Sequence, residues 1–249
     1  MAVRTSTLRA KSPLIFIIFL VVACTQNSKE IVLKPGLRVE ALLIHQDNFE
    51  TDLNNWKIEQ MEGGQTILKN KKLEIDDAAG CTIWFKEELE GPIMIEYDTF
   101  IINQDGPHDR VSDMNCFWMA KDMENQKNLF ENSENRHGKF SNYDGLRLYY
   151  MGVGGHDNSK TRFRRYKGNG KRPLLKQHDF SNESYLLKSN TTYHIRIIAY
   201  SNIIQYYRNG VKMIDFYDNS PYTKGHFGFR TVNNHMTIDN FKVYKLENK

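Results

Sequence analysis

From Ala41 onward, apolar and polar residues alternate in short runs that are broken by Gly, Asn, Asp and Pro. The runs are ALLIHQDNF, QTILK, KLEID, CTIWFK, PIMIEYDTFII, NCFWMA, GLRLYYMGV, TRFRRY, YHIRIIAY, NIIQYYR, VKMIDFY, GHFGFRT and MTIDNFKVY. Enriched in Ile, Val, Tyr, Phe and Trp, they predict β-strands. Asn209-Gly210 fits a two-residue type I′ turn joining NIIQYYR to VKMIDFY. Near the C-terminus, Met236 and Ile238 share one parity and Phe241 and Val243 the other, which predicts a bulge near Asp239-Asn240. Only residues 121–136, KDMENQKNLFENSENR, offer a helical stretch, expected as a surface excursion of one or two turns. An all-β, two-sheet antiparallel sandwich is the natural closure for so many short strands.

The first residues follow a different pattern. A basic start (Arg4, Arg9, Lys11) precedes an apolar run from Leu14 to Ala23. That run is far short of the ~20 residues that span a bilayer, so residues 1–23 read as a signal peptide. Val21-Val22-Ala23-Cys24 resembles the bacterial lipobox, which implies a lipidated Cys24 at the start of the mature chain. Thr25 stands where an inner-membrane retention signal would place Asp, so the expected location is the outer membrane. Residues 24–40 are polar, contain Pro35-Gly36, and read as a tether before a single domain over 41–247.

Removing the signal changes the electrostatic picture. The full chain carries 34 Lys+Arg against 30 Asp+Glu, and three of the cations but none of the acids lie in residues 1–23. A near-neutral exported chain is no general nucleic-acid binder, so the basic stretch TRFRRYKGNGKRP (161–173) is a local feature. Its GNGKR lacks the spacing of a phosphate loop. Cys81 and Cys116 sit in strand-like runs, where pairing and two buried free thiols are both open. No CxxC or His-rich spacing suggests zinc.

Three blocks, GPHDRVSDMNCFWMA (106–120), NYDGLRLYYMGVGGHDNSKTRFRRY (142–166) and GHFGFRTVNNHMTIDNFKVY (225–244), carry a family likeness. With NFETDLNNWKIE and CTIWFKEELEGPIMIEYD, they resemble a bacterial family of unknown function with a galectin-like, concanavalin-A-type jelly roll. Members of that family tend to occur among genes for using pectin and other plant polysaccharides. The closing pattern also resembles the last two strands of jelly-roll laminarinases and of the 3-keto-disaccharide hydrolase group. The likeness implies a jelly roll and a carbohydrate ligand, and brings no established catalytic residues.

The carboxylate device best known on this fold is E-x-D-x-x-E, which puts three carboxylates on one sheet face. Here Glu96-Tyr97-Asp98 is followed by Thr99, Phe100 and Ile101, so the third acid is missing and the pair reads as structural. In TRFRRY, period two places Arg162, Arg164 and Tyr166 on one face. The preceding strand places Arg147, Tyr149 and Met151 on one face, and Leu148 and Tyr150 on the other. An Arg-Tyr surface suits an anionic sugar, because guanidinium forks hold a carboxylate in two hydrogen bonds. The alternative is a charged edge strand.

His156, in the glycine-rich MGVGGHDNS, is a candidate acid or base, together with Tyr149 and Tyr150. Asp113 and Trp118 are candidate substrate contacts, as are Arg230 and His235 at the last loop. Asp109, Arg110 and Asp113 equally suit an internal ion-pair cluster, and the two aspartates with Asp105 are calcium candidates, at a spacing that matches no standard loop. No other cofactor is expected. The chain supplies Arg, Tyr and His but no carboxylate pair. That favours a uronate-eliminating lyase over a hydrolase, with a non-catalytic glycan-binding lipoprotein as the alternative.

Overall fold

The computed structural model describes residues 1–2, 28–125 and 128–249; Cys24 and nearly all of the signal segment lie outside the described residues. Six strands lead the chain: β1 (Ser28–Lys34), β2 (Leu37–Asp47), β3 (Trp56–Gln60), β4 (Gln65–Lys69), β5 (Lys72–Asp77) and β6 (Cys81–Phe85). Five follow: β7 (Leu89–Glu90), β8 (Ile93–Ile101), β9 (Asn115–Asp122), β10 (Leu146–Gly154) and β11 (Lys160–Lys167). The last six are β12 (Leu174–Phe180), β13 (Thr192–Tyr200), β14 (Ile203–Arg208), β15 (Val211–Tyr217), β16 (Lys224–Thr231) and β17 (Asn234–Asn248).

They form two antiparallel sheets. The first runs β1-β2-β17-β8-β13-β14-β15, with β5 and then β4 added beside β17. The second runs β12-β11-β10-β9-β16-β6-β3, with β7 against β16. Alternating residues of each sheet point inward and meet in one core. Ile95, Tyr97, Ile195, Ile197 and Phe241 come from the first sheet, and Ile83, Trp118, Tyr149, Met151, Phe163 and Phe229 from the second. This is the galectin-like jelly-roll sandwich.

Local chemistry accounts for the joins. Asn209 and Gly210 adopt φ of 50° and 78°, and Arg208 pairs with Val211, as a type I′ hairpin demands. The pairing of β17 with β8 shifts between Asp239 and Lys242, with Asn240 at φ 53°, which is the bulge signalled by the change of parity. Cys81 and Cys116 are free and buried, and burial pushes both thiols up to about 12.

One expectation needs correction. Most of the segment read as a tether, from Ser28 to Glu40, is folded as β1 and the start of β2. Its Ile31, Leu33, Val39 and Ala41 pack with Met94, Ile198 and Tyr244 into a second apolar cluster. The apolar alternation was too short, and too crowded by charges, to stand out. The folded domain therefore includes Ser28–Glu40 and does not start at Ala41.

The 121–136 stretch is the short-turned surface excursion expected from the sequence, and it packs onto the second sheet. After Asp122 it makes short turns at Leu129–Asn132, Ser133–Arg136 and Phe140–Tyr143. Leu129 and Tyr143 pack with Trp84, Phe117, Leu148 and Tyr150, on the face of the second sheet that points away from the main core. A buried ionic network fixes it there. Arg136 donates to both oxygens of Glu59 (2.7–3.2 Å), to Asp122 (3.4 Å) and to the Leu129 carbonyl (2.7 Å), and the Tyr143 hydroxyl donates to Glu59 at 2.6 Å.

Candidate functional site

The excursion covers the outer face of the second sheet on the β6–β16–β9 side and leaves the β10–β11 side open. Strand pairing decides what lies there. Register sets Tyr150 opposite Arg164, Gly152 opposite Arg162, and Leu148 opposite Tyr166. Opposed residues share a face, so these six side-chain positions look outward together. Gly152 is required by close approach: a Cβ there would meet the Tyr150 hydroxyl at 2.4 Å. Without it, the phenol lies across the strand toward Arg162.

The result is a cavity of about 520 Å³, lined by Tyr150, Gly152, Arg162, Arg164 and Tyr166 from these strands. Phe140 and Arg172 close one end, and Arg110, Asp113, Gly155 and His156 the other, with Asn115, Lys160 and Val232 completing the wall. That volume falls within the ~300–1,000 Å³ typical of small-ligand sites. A cavity of about 680 Å³ beside the β14–β15 hairpin is larger, but its Arg208 is spent on the carbonyls of Ser184, Tyr185 and Leu186.

Arginine donors at the site are committed unequally. Arg162 grips Asp179 through Nε (2.9 Å) and Nη2 (3.3 Å), and the hydrogen bonds hold that carboxyl below its ordinary value. Its Nη1 is left against His156 Nε2 at 2.7 Å. Arg110 bonds Asp157 (2.9 Å from Nε), Asp113 (3.3 Å) and the carbonyls of Val232 and Asn233. Arg172 pairs with Asp144 at 3.0 Å. Arg164 differs: it gives one bond, to the Arg172 carbonyl at 2.7 Å, and has no carboxylate partner among the described residues. Burial, and the charges of Arg162 and Arg172, lower its pKa.

The loop after β10 is strained. His156, Asp157 and Asn158 are consecutive left-handed residues at φ 53°, 54° and 58°. Each such residue costs roughly 1–2 kcal/mol, and persists only where its surroundings over-determine it. Here Asn158 exchanges hydrogen bonds with the Leu187 backbone at 2.8 and 2.9 Å, and Ser159 bonds the His156 carbonyl at 2.7 Å. The strain presents His156 at the rim. Tyr150, buried at the floor, is held protonated because burial raises its pKa well above the ordinary phenol value. No protein group among the described residues bonds its hydroxyl.

Of the residues singled out from the sequence, the structure brings together Tyr150, His156, Arg162, Arg164 and Asp113. The others lie elsewhere. Tyr149 points into the core, where its hydroxyl donates to Asp218 at 2.6 Å. Arg147 stacks over Tyr222 at 4.8 Å, away from the cavity. Trp118 is buried against Tyr149 and Phe163. Arg230 is fully buried beneath Phe140 and Tyr143 and donates to Thr82 (3.0 Å) and the Gly138 carbonyl (2.5 Å), so it anchors the excursion. His235 is tied to Asp109 at 2.6 Å and faces Glu74. The calcium reading fails on donor orientation: Asp113 accepts from Ser112, Arg110 and Asn115, and Asp109 from Gln104 and His235. Glu96 and Asp98 lie on the first sheet and are met by Arg196 and His194.

Comparison with known proteins adds the fold relationship. The chain is similar to a Bacillus subtilis protein of unknown function with a galectin-like fold (TM-score 0.67, 17% identity, 89% of this chain and 100% of that one). An endo-β-1,3-glucanase from Pyrococcus furiosus is also similar (TM-score 0.55, 13% identity, 85% and 97%). So is the carbohydrate-binding module CBM66 from Bacillus subtilis (TM-score 0.51, 13% identity, 77% and 96%). No curated protein sequence matches the chain. The family model described as Domain of unknown function (DUF6250) matches residues 75–241, more than half of the chain, and the protein belongs to that family.

Proposed function

We propose that the cavity on β10 and β11 binds an acidic, uronate-containing glycan. The observation that carries this reading is Arg164, a half-buried guanidinium without a carboxylate, between two further arginines. Such a group is poorly compensated until an anion arrives, and its planar fork matches a carboxylate. Tyr150, Tyr166 and Phe140 supply apolar ring faces beside it. The fold is shared with a carbohydrate-binding module and a glucanase, which supports a saccharide ligand without naming one. The test is calorimetry on acidic glycans and their carboxyl-reduced counterparts. Binding should be confined to the acidic forms, and equal binding of both sinks the proposal.

A second reading, β-elimination, is favoured by Tyr150. In that reaction a base takes the proton from C5 and the C5 electron pair forms the C4–C5 double bond. The C4–O bond breaks, and the departing oxygen takes a proton. A protonated, unbonded phenol on the cavity floor is suited to the last step. The base is less well provided for, because His156 Nε2 is occupied by Arg162, Asp113 already accepts three hydrogen bonds and Tyr149 is in the core. The geometry thus supports binding better than cleavage. Ultraviolet absorbance from an unsaturated uronate, lost in Tyr150→Phe while binding persists, would reverse that order.

The same proposal includes an outer-membrane lipid anchor on Cys24, supported by the order of apolar run, small residue and cysteine. Only Thr25, Gln26 and Asn27 separate Cys24 from β1, so the domain would sit close to the membrane. Precursor should accumulate under globomycin. Membrane fractionation of Cys24→Ala like the parent would overturn the anchor.

A further inference from the structure

We infer that the cavity takes a single terminal uronate, the end of an acidic chain, and not a run of internal residues. This rests on the acidic-glycan reading and adds what the walls and the charge count say about the ligand.

An extended polysaccharide needs a groove open at both ends. The outer face of the second sheet spans seven strands, about 29 Å at ~4.8 Å per strand. Its β6–β16–β9 side is occupied by the excursion, held down by the buried Arg136–Glu59 pair and by Arg230 on the Gly138 carbonyl. Phe140 therefore meets any chain running across the sheet. Along the strands, each end of the cavity is stitched by an ion pair that joins two separate segments. Arg172–Asp144 ties the β11–β12 turn to the excursion, supported by the Gly170 amide on the Asp144 carbonyl at 3.1 Å. Arg110–Asp157 ties the segment before β9 to the strained loop after β10. At the Arg172 end the rings of Phe140 and Tyr166 pack against the paired charges, so passage of a chain there would require breaking that wall. Asp157 at the other end is exposed and leaves the rim from which a chain end enters.

Charge points the same way. Five cations line the cavity, and four aspartates pair with three of them: Asp113 and Asp157 with Arg110, Asp179 with Arg162, and Asp144 with Arg172. Arg164 is the one lining arginine without a carboxylate among the described residues. It can take one uronate carboxylate, whereas a run of uronates would bring several anions to a site whose other arginines are already paired.

The experiment is a length series. Affinity is measured for galacturonate, glucuronate and mannuronate, each as monosaccharide and as di- to hexasaccharide, with native protein and with Phe140→Ala. The expected result is a measurable monosaccharide, and less than about three-fold gain across the whole series, since added residues find no protein surface. Phe140→Ala should introduce a length dependence by opening one wall. An affinity that climbs more than about ten-fold from mono- to hexasaccharide in the native protein overturns the chain-end inference and leaves acidic-glycan binding intact. Failure of every uronate at every length overturns the functional reading itself.

Discussion

Two arginine-bearing regions share one face of one sheet and behave as opposites. Where the excursion meets the sheet, its Arg136 and the strand residue Arg230 are buried, and Arg136 is satisfied by two carboxylates and a carbonyl. Over β10 and β11, Arg162 and Arg164 remain partly exposed, and Arg164 meets no acid among the described residues. What separates them is whether a chain segment covers the face. The covered arginines anchor the excursion to the sheet, and Arg164 on the uncovered side keeps hydrogen-bonding capacity for something that is not part of the protein. Residue type alone could not have told them apart.

The largest effect should come from the covered side. Arg136→Ala leaves Glu59 charged, buried and deprived of its guanidinium. Removing one partner of such a pair costs about 3–5 kcal/mol. Chemical denaturation should show that loss, together with release of the excursion. A change below about 1 kcal/mol would mean that water replaces the guanidinium and that the network is not a clamp.

The uncovered side should respond in binding and not in stability. Arg164→Ala removes a charged hydrogen-bonding group worth about 1.5–3 kcal/mol, so uronate affinity should fall about ten- to a hundred-fold. The melting temperature should barely move, since partly exposed charges contribute little to folding. Arg162→Ala should differ from it, because it also frees Asp179 and His156. If Arg164→Ala unfolds the protein, or binds like the parent, the contrast between the two regions collapses.

A smaller effect links both regions through Tyr150, which touches the covered cluster on one side and the cavity on the other. Gly152→Ala places a methyl group where the Tyr150 hydroxyl lies. The tip of the ring can swing away, so the stability cost should sit near the low end of the ~1–3 kcal/mol usual for overpacking. The displaced ring should narrow the cavity, and uronate binding should weaken more than stability does. Unchanged affinity would show that the floor does not contact the ligand.

How much of this was legible in the sequence follows from the range of each signal. Period-two alternation put Arg162, Arg164 and Tyr166 on one face, and Asn209-Gly210 and the parity change near Asp239 marked a turn and a bulge. All of these are local. Which face of β10 joins that surface depends on register between strands, which pairs Arg164 with Tyr150 and not Tyr149. Arg147 and Tyr149 were misplaced for that reason. Arg110, Phe140 and Arg172 reach the cavity from separate turns, and only the folded excursion brings Phe140 and Asp144 beside the arginines. Nothing in the spacing of residues 121–145 announces that they will lie on a sheet. Trp118 and Arg230 show the converse, since strand parity could assign them a face but not whether that face was covered.

The smallest effect expected lies on the other sheet and tests whether any exposed charge cluster would behave like the cavity. His194 sits on the outer face of β13, with Nδ1 2.8 Å from Asp98 and Nε2 3.7 Å from Glu96, while Arg196 and Lys29 also meet Glu96. The Glu96 carboxylate facing it raises the His194 pKa above 6.5, against a smaller opposing effect of burial and with help from the hydrogen-bonded Asp98. A raised pKa in the folded state means that the contribution of this group is fully present below about pH 6.5, and is lost as pH rises through the folded value. Burial works against the charge of Glu96, yet the neighbouring His194 and the hydrogen bonds from Lys29 and Arg196 hold its carboxyl well below the usual range. Its own contribution is present above about pH 4.5 and fades only as pH falls toward that depressed value. The parent should therefore exceed His194→Asn in stability at about pH 5.5 and lose that advantage by about pH 8.5. The margin should stay below about 1 kcal/mol, because the imidazole is nearly half exposed to solvent. Uronate affinity should be identical in the two proteins at both pH values, since this cluster has every charge answered by a neighbour. A His194→Asn protein with weakened uronate binding would relocate the acidic-glycan surface to the back of the first sheet.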